Sequence, residues 1–285
     1  MGSLLKIDSC VHVMPPEVNF SKDQFLRSDR TFRELFSNPN SKIVQADQLI
    51  ESMNASAIDV SVCAGFGWTD PELAAMSNDY NLQIANEYPD RLLPLCSVNP
   101  LWGQQAVDEI ERCVELGAKG VGELHPNTQG ILDADLASLA PVLDLTRNLD
   151  IPVLVHTSEP VGHGYPGKGT VTPELLMALV NAYPNNKFIF SHFGGGLPFY
   201  GLMPEVEAAL KNVYFDSAAF PFLYRSDVFE VSAKAVGFEK ILFASDYPVV
   251  SQKRALTEFA GADLSNESRT AIAGENAQSL FGIGA

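Results

Sequence analysis

The sequence predicts an α/β fold, a single (β/α)8 TIM barrel with an insertion after its first strand. Three observations carry this reading. Short apolar or β-branched runs alternate with amphipathic helical segments along the chain, there are eight such runs, and no linker or low-complexity tract divides the 285 residues. Near-continuous apolar strands separated by helices indicate a parallel sheet covered on both faces. Eight units within about 250 residues suit a closed barrel. A doubly wound open sheet is the alternative, but no glycine fingerprint follows the first run.

In order, the first strand is "LLKIDSCVHV". The connection after it, about residues 14–40, contains "NFSKDQFLRSDRTFRELFSNPN" and reads as a partly helical insertion over the barrel mouth. Long ordered connections of this kind are often functional lids. The second strand, "AIDVSVCAG", leads to "TDPELAAM", where Thr or Asp before Pro and Glu marks a helix start. The third, "RLLPLCSV", precedes the helix "DEIERCVELG", which Gly117 is placed to cap. "AKGVGEL" and "IPVLVHT" follow as strands four and five, and "TPELLMAL" opens the next helix. "KFIFSH", "NVYFDS" and "KILFASD" complete the eight. Met53, Met76, Phe188 and Phe190 read as core, and the helix "EVEAALKN" as carrying a solvated face.

The formal net charge is −16, which argues against nucleic acid and anionic membranes as partners, because no basic stripe is available to neutralise phosphates. No stretch reaches the roughly 20 apolar residues of a membrane span. The start "MGSLLKIDSC" lacks the apolar core of a signal peptide. Four scattered cysteines, Cys10, Cys63, Cys96 and Cys113, do not make a disulfide framework, so a cytoplasmic, reducing location is expected. The expected partner is a small molecule. The oligomeric state is open, with a homodimer among the options.

Catalytic groups of such barrels sit at the C-terminal ends of the strands. His12 ends the first run, Glu123 and His125 the fourth, His156 the fifth, His192 the sixth and Asp246 the eighth, while the remaining one of the five histidines, His163, lies in the loop after strand five. Side chains alternate along a strand, so Asp8, Cys10 and His12 are expected on one side, and Glu123 with His125 on one side. A lone histidine here would be an ordinary hydrogen-bonded strand terminus, but four on one rim beside a carboxylate indicate a site, since buried imidazoles and carboxylates are costly unless paired or metal-bound. Imidazole nitrogens and a carboxylate oxygen are the donor set of zinc or a similar divalent ion. Such an ion makes hydroxide available near neutral pH. The glycines of "FGGGLPF" allow either a turn with positive φ or an approach of backbone N–H groups to an anion.

The motifs "IDSCVH", "VLVHTSEP", "FIFSHFGGGLPFY", "ILFASDYP" and "GENAQSLFGI", in this order and on these elements, resemble the amidohydrolase superfamily, in particular the amidohydrolase-related group that includes aminocarboxymuconate semialdehyde decarboxylase. The resemblance spans nearly the whole chain. It implies one divalent ion, zinc first, held by a His-x-His pair on strand one, the strand-five histidine and the strand-eight aspartate. His12, His156 and Asp246 match these ligands, and His192 matches the histidine that polarises water or substrate. Cys10 stands where the family has the first histidine. It is either a thiolate ligand or a buried small residue, and ligation is the expectation. Glu123 is either a ligand or the hydrogen-bond partner of a ligating histidine. His125 either touches substrate or caps the turn at Pro126.

The expected function is that of a metal-dependent hydrolase acting on a small amide, cyclic amide, ester or lactone, with Asp246 and His192 as the catalytic pair. The alternative is a non-oxidative decarboxylase acting on a small carboxylic acid. A metal-free small-molecule binding barrel is a second alternative. For the decarboxylase, Arg225, Lys168, Arg27 and Arg30 are the candidate cations for a substrate carboxylate.

Overall fold

The computed structural model describes residues 5–283. Its eight strands are β1 (Ile7–Val11), β2 (Val60–Cys63), β3 (Leu92–Pro94), β4 (Val121–Leu124), β5 (Val153–Val155), β6 (Phe188–Phe190), β7 (Val213–Asp216) and β8 (Ile241–Leu242). All pairings are parallel, in the orders β1-β2-β3 and β4-β5-β6-β7-β8. Bridges at Cys96↔Val121 and Val11↔Tyr247 join the two groups at both seams. The ring is therefore complete, as expected of the barrel.

The strands are shorter than the apolar runs that announce them. In "KILFASD" only Ile241–Leu242 is ladder, while the residues after it still bond to β1: Ser9 N–H donates to Phe243 O at 2.9 Å and Asp246 N–H to Cys10 O at 3.1 Å.

Ile7, Cys10, Val60, Val62, Leu154, Ile189 and Leu242 fill the barrel interior, and Leu280 and Phe281 of the helix Asn276–Phe281 join that cluster. Phe188 and Phe190 face outward against the helices, and Met53 is likewise fully buried, while Met76 is partly buried beside the insertion. Asp70 caps the helix Pro71–Glu87, its carboxylate accepting from Glu72 N–H at 2.9 Å and Leu73 N–H at 3.3 Å. Gly117 follows the helix Gln104–Glu115 with φ 111°.

One expectation about β1 is corrected. The pairing with β2 shifts register between Asp8 and Val11, so two-residue alternation fails across Asp8–Cys10. Cys10 faces the interior with Val60 and Val62. Ser61 lies on the opposite side of β2, and Gln252 Nε2 joins it at 3.0 Å to Asp8 at 2.9 Å. Asp8 therefore points away from Cys10.

The connection after β1 folds into the short helices Pro16–Phe20, Lys22–Ser28 and Arg30–Phe36. Phe25, Phe32 and Phe36 pack with Phe66 and Trp68. Buried Asp29 fastens this layer: Oδ1 accepts from Phe32 N–H at 2.8 Å, and Oδ2 accepts from Thr69 N–H at 2.7 Å and the Thr69 hydroxyl at 2.8 Å. No helix among the described residues is long and apolar enough to cross a membrane. All four cysteines are free and buried.

Candidate metal centre and active site

The strand ends converge. His12, Glu123, His125, His156, His192 and Asp246 all line one cavity of about 620 Å³, whose outer wall includes Leu35, Phe36 and Asn38 from the insertion. Cys10 lies beneath His12, its Sγ 3.7 Å from His12 Nε2.

The tautomer of His12 follows from its partners. Nδ1 lies 3.2 Å from the Ala64 carbonyl, which only accepts, so Nδ1 carries a proton. Nε2 then faces Asp246 Oδ1 at 3.3 Å and Glu123 Oε2 at 3.4 Å. A lone pair against two carboxylate oxygens is repulsive, so a cation belongs between them, either a proton or a metal ion. Burial opposes an imidazolium at His12, yet the two carboxylates push its pKa up on balance.

Glu123 is the hub. Its Oε2 lies 3.4 Å from His125 Nε2 as well, and its Oε1 lies 3.2 Å from His156 Nδ1. Burial works against its charge, but His125 and His156 hold its pKa well below the ordinary value. His192 Nδ1 donates to the Ala218 carbonyl at 2.8 Å, which leaves its Nε2 as an acceptor 3.2 Å from His156 Nδ1. The rings of His125 and His156 are stacked with centroids 4.8 Å apart. Nε2 of His156 is buried without a hydrogen-bond partner, and so is Nε2 of His125, whose approach to Glu123 lacks hydrogen-bond geometry. At the mouth, donor atoms within 4.8 Å of one another form two sets, Cys10–His12–Asp246 and Glu123–His125–His156.

Backbone conformation aims two of these groups. Asp246 has φ 62° and His192 φ 55°, left-handed values that non-glycine residues adopt only when the surroundings hold them there. Behind His192, Gly195 N–H bonds to His192 O at 3.2 Å and Gly196 N–H to Phe193 O at 2.9 Å, so the glycine run is a turn whose N–H groups are taken internally. A side chain at Gly195 would meet the Ser158 carbonyl oxygen. Asp216, at the end of β7, accepts from Ser191 Oγ, His192 N–H and Ala218 N–H. Burial pushes its carboxyl up to about 7, although His192 opposes the shift.

Asp216 and Asp29 were not singled out from the sequence. Asp216 had a signal, since it closes "NVYFDS" as Asp246 closes "KILFASD". Of the candidate cations, Arg225 is exposed and paired with Asp227 at 2.8 Å, and Lys168 donates to the carbonyls of Val161 and His163. Neither these two nor Arg27 and Arg30 lines the cavity, and Lys42 is the one lysine or arginine among its described lining residues.

Comparison with known proteins agrees with this architecture. The chain is 24% identical to the 2-amino-3-carboxymuconate-6-semialdehyde decarboxylase of Dictyostelium discoideum, over 86% of this chain and 82% of that protein. It is 25% identical to a gamma-resorcylate decarboxylase of Polaromonas sp. strain JS666, over 82% of this chain and 83% of that one. Among solved structures, the 5-carboxyvanillate decarboxylase of Sphingomonas paucimobilis superposes with a TM-score of 0.78 at 17% identity, covering 99% of this chain and 100% of that one. The dihydroxybenzoic acid decarboxylase of Polaromonas sp. JS666, solved with manganese and 2-nitroresorcinol, gives 0.76 at 20% identity, covering 99% and 98%.

These relatives overturn the expectation of a hydrolase: they are decarboxylases, the reading held as the alternative. The error has a chemical cause. A divalent ion, a carboxylic acid and an imidazole serve both reactions, so the strand-end motifs do not distinguish them. What they do identify is the family, because its model, described as Amidohydrolase, matches residues 7–283, and the chain belongs to that amidohydrolase family.

Proposed function

We propose that this protein is a divalent-metal-dependent, non-oxidative decarboxylase of a small, planar carboxylic acid. The observation that carries the metal is His12 Nε2 facing Asp246 and Glu123 at 3.3 and 3.4 Å, an arrangement that calls for a cation. The donors fit an ion, with His12, Asp246 and Cys10 as the first set and His156 beyond Glu123. The nature of the relatives supports the reaction class. A sulfur among the donors favours zinc over harder ions, whereas the Polaromonas structure holds manganese.

When bound, the ion supplies Lewis-acid attraction for the substrate's carboxylate or an adjacent phenolate oxygen. The chain supplies the rest. Phe36 and Phe66 line the cavity with apolar surface suited to a flat acid. As the bond between the carboxylate and its carbon breaks, Asp246 delivers a proton to that carbon, carbon dioxide leaves, and Asp246 is reprotonated from solvent. His192, fixed by Ala218, forms part of the wall of the same cavity beside His156 and orients the acid.

The test is metal analysis of the purified protein, followed by a panel of small aromatic and unsaturated acids assayed for carbon dioxide release, beside amides, esters and lactones in a pH-stat. Carbon dioxide release that chelation abolishes supports the reading. Hydrolysis without decarboxylation of any acid would overturn it.

A further inference from the structure

We propose that the substrate carries a second ring, or an apolar group of that size, on the side away from its reacting carboxylate, and that Phe222 and Leu223 after β7 and Pro248 and Val249 after β8 hold it. This rests on the decarboxylase reading above and names the class of acid which that site takes.

The cavity is graded from floor to rim. His12, Glu123 and Asp246 make its polar floor, and the ring of Phe66 stacks on that of His12 with centroids 4.6 Å apart. A planar acid held there occupies the inner part alone. The whole volume of about 620 Å³ falls in the range of about 300–1,000 Å³ that encloses drug-sized ligands. Phe222, Leu223, Pro248 and Val249 line the same cavity. Phe222 is 48% exposed and Val249 57%, whereas His12 and Glu123 are buried, so these side chains belong to the rim.

Scattered exposed apolar residues are ordinary. These four come from two loops, line one cavity with the proposed proton donor, and carry no hydrogen-bonding side chain. Wetted apolar surface continuous with an active site is favourably covered by an apolar part of the ligand. A charged tail would lose its hydration against these four side chains and gain no partner from them.

Both loops are fastened. Val249 N–H donates to the Asp246 carbonyl at 2.8 Å, so the wall begins at the proton donor. Phe222 N–H donates to the Ala219 carbonyl at 2.9 Å, and the Arg254 guanidinium lies 4.7 Å from the centre of the Phe222 ring. The ring is thus held at the rim before any ligand arrives.

The experiment compares salicylate with the derivative that bears a phenyl group para to the carboxylate. Dissociation constants on the full-length, metal-loaded protein come from calorimetry, and carbon dioxide release is followed for both acids. The phenyl acid is expected to bind about 10- to 100-fold tighter, the scale of burying one aromatic side chain. That ratio should fall below about threefold in Phe222→Ala, which empties the subsite, and in Val249→Trp, which fills it. A ratio of two acids on one protein does not depend on how much of a variant is folded. Equal or weaker binding of the phenyl acid by the wild type overturns the subsite, while carbon dioxide release from either acid leaves the decarboxylase reading standing. The ratio retained in both variants overturns the assignment to these residues. The expected ratio without carbon dioxide release from either acid upholds the subsite and counts against the reaction. Binding of neither acid overturns both.

Discussion

The N–H of His192 donates to Asp216 Oδ1 at 3.2 Å, so the imidazole at the end of β6 is held by a carboxylate at the end of β7. The same oxygen accepts from Ala218 N–H at 2.9 Å, and the Ala218 carbonyl fixes His192 Nδ1 at 2.8 Å. Asp216 is therefore a positioning residue. Asp216→Ala leaves two buried N–H groups unpaired, which costs about 1–3 kcal/mol for each group. The expected result is a clear drop in urea-unfolding stability, with turnover falling while KM changes little. Asp216→Asn keeps an acceptor oxygen and should recover most of the stability. Equal stability in all three proteins would show that the turn holds itself.

His192 itself sits where it can orient substrate without belonging to either donor set. His192→Asn should lower turnover by about 100-fold or more, the scale for losing one preorganised polar group in an active site. Bound metal should stay near the wild-type amount. Parallel loss of metal and activity would make His192 a ligand instead.

Asp246 combines two tasks in the proposed reaction, facing His12 Nε2 at 3.3 Å and carrying the proton. Asp246→Asn removes a negative charge and the acid together, so turnover should fall to background. Activity retained in this variant would move proton delivery to Glu123 or to a solvent molecule.

The barrel was legible because its evidence is repetitive: eight apolar runs, most of them carrying a histidine or carboxylate at or just beyond the C-terminal end, fix strand number and rim together. The six rim residues His12, Glu123, His125, His156, His192 and Asp246 followed from the same rule. Their grouping did not follow, because it depends on rotamers: His156 meets Glu123 and His192, not His12. The side taken by Asp8 was misread because the register shift before Val11 leaves no mark in "IDSCV". Asp29 was hidden for a different reason. It looks like any helix cap in a polar insertion, and only its contact with Thr69, far along the chain, shows that it fastens the insertion to the loop after β2.

The displaced Asp8 has a measurable consequence. Burial pushes its carboxyl from 3.8 up to about 6, against hydrogen bonds from Ser245 and Gln252. A raised folded-state pKa means that the folded protein holds this proton more tightly than the unfolded chain does. The stabilisation is complete below the unfolded value and is lost as pH rises through about 6. Relative to Asp8→Asn, which cannot titrate, the wild type should lose about 2 kcal/mol of unfolding free energy between pH 4 and pH 7, at about 1.36 kcal/mol per pKa unit. Urea denaturation at stepped pH measures that difference, and a difference growing in the wild type's favour would overturn the reading.

Cys10 decides how far the centre departs from an all-nitrogen and oxygen site. Its Sγ lies 3.7 Å from His12 Nε2, a separation that suits two ligands of one tetrahedral ion. Burial and the surrounding Asp216, Glu123 and Asp246 push its thiol pKa well up, so in this field alone it stays protonated. A divalent ion reverses that field, and a coordinating thiol gives up its proton. Zinc–sulfur ligation would bring the two atoms to about 2.3 Å. Cobalt makes the contact visible, because a cobalt–thiolate bond gives a near-ultraviolet charge-transfer band that nitrogen and oxygen donors do not. The cobalt-loaded wild type should show the band and Cys10→Ser should lose it. Cys10→His should keep the metal without the band, with imidazole replacing the thiolate. Should the wild type lack the band and Cys10→Ala bind metal as tightly, Cys10 is only packing beneath His12, and His12 and Asp246 hold the ion with Glu123.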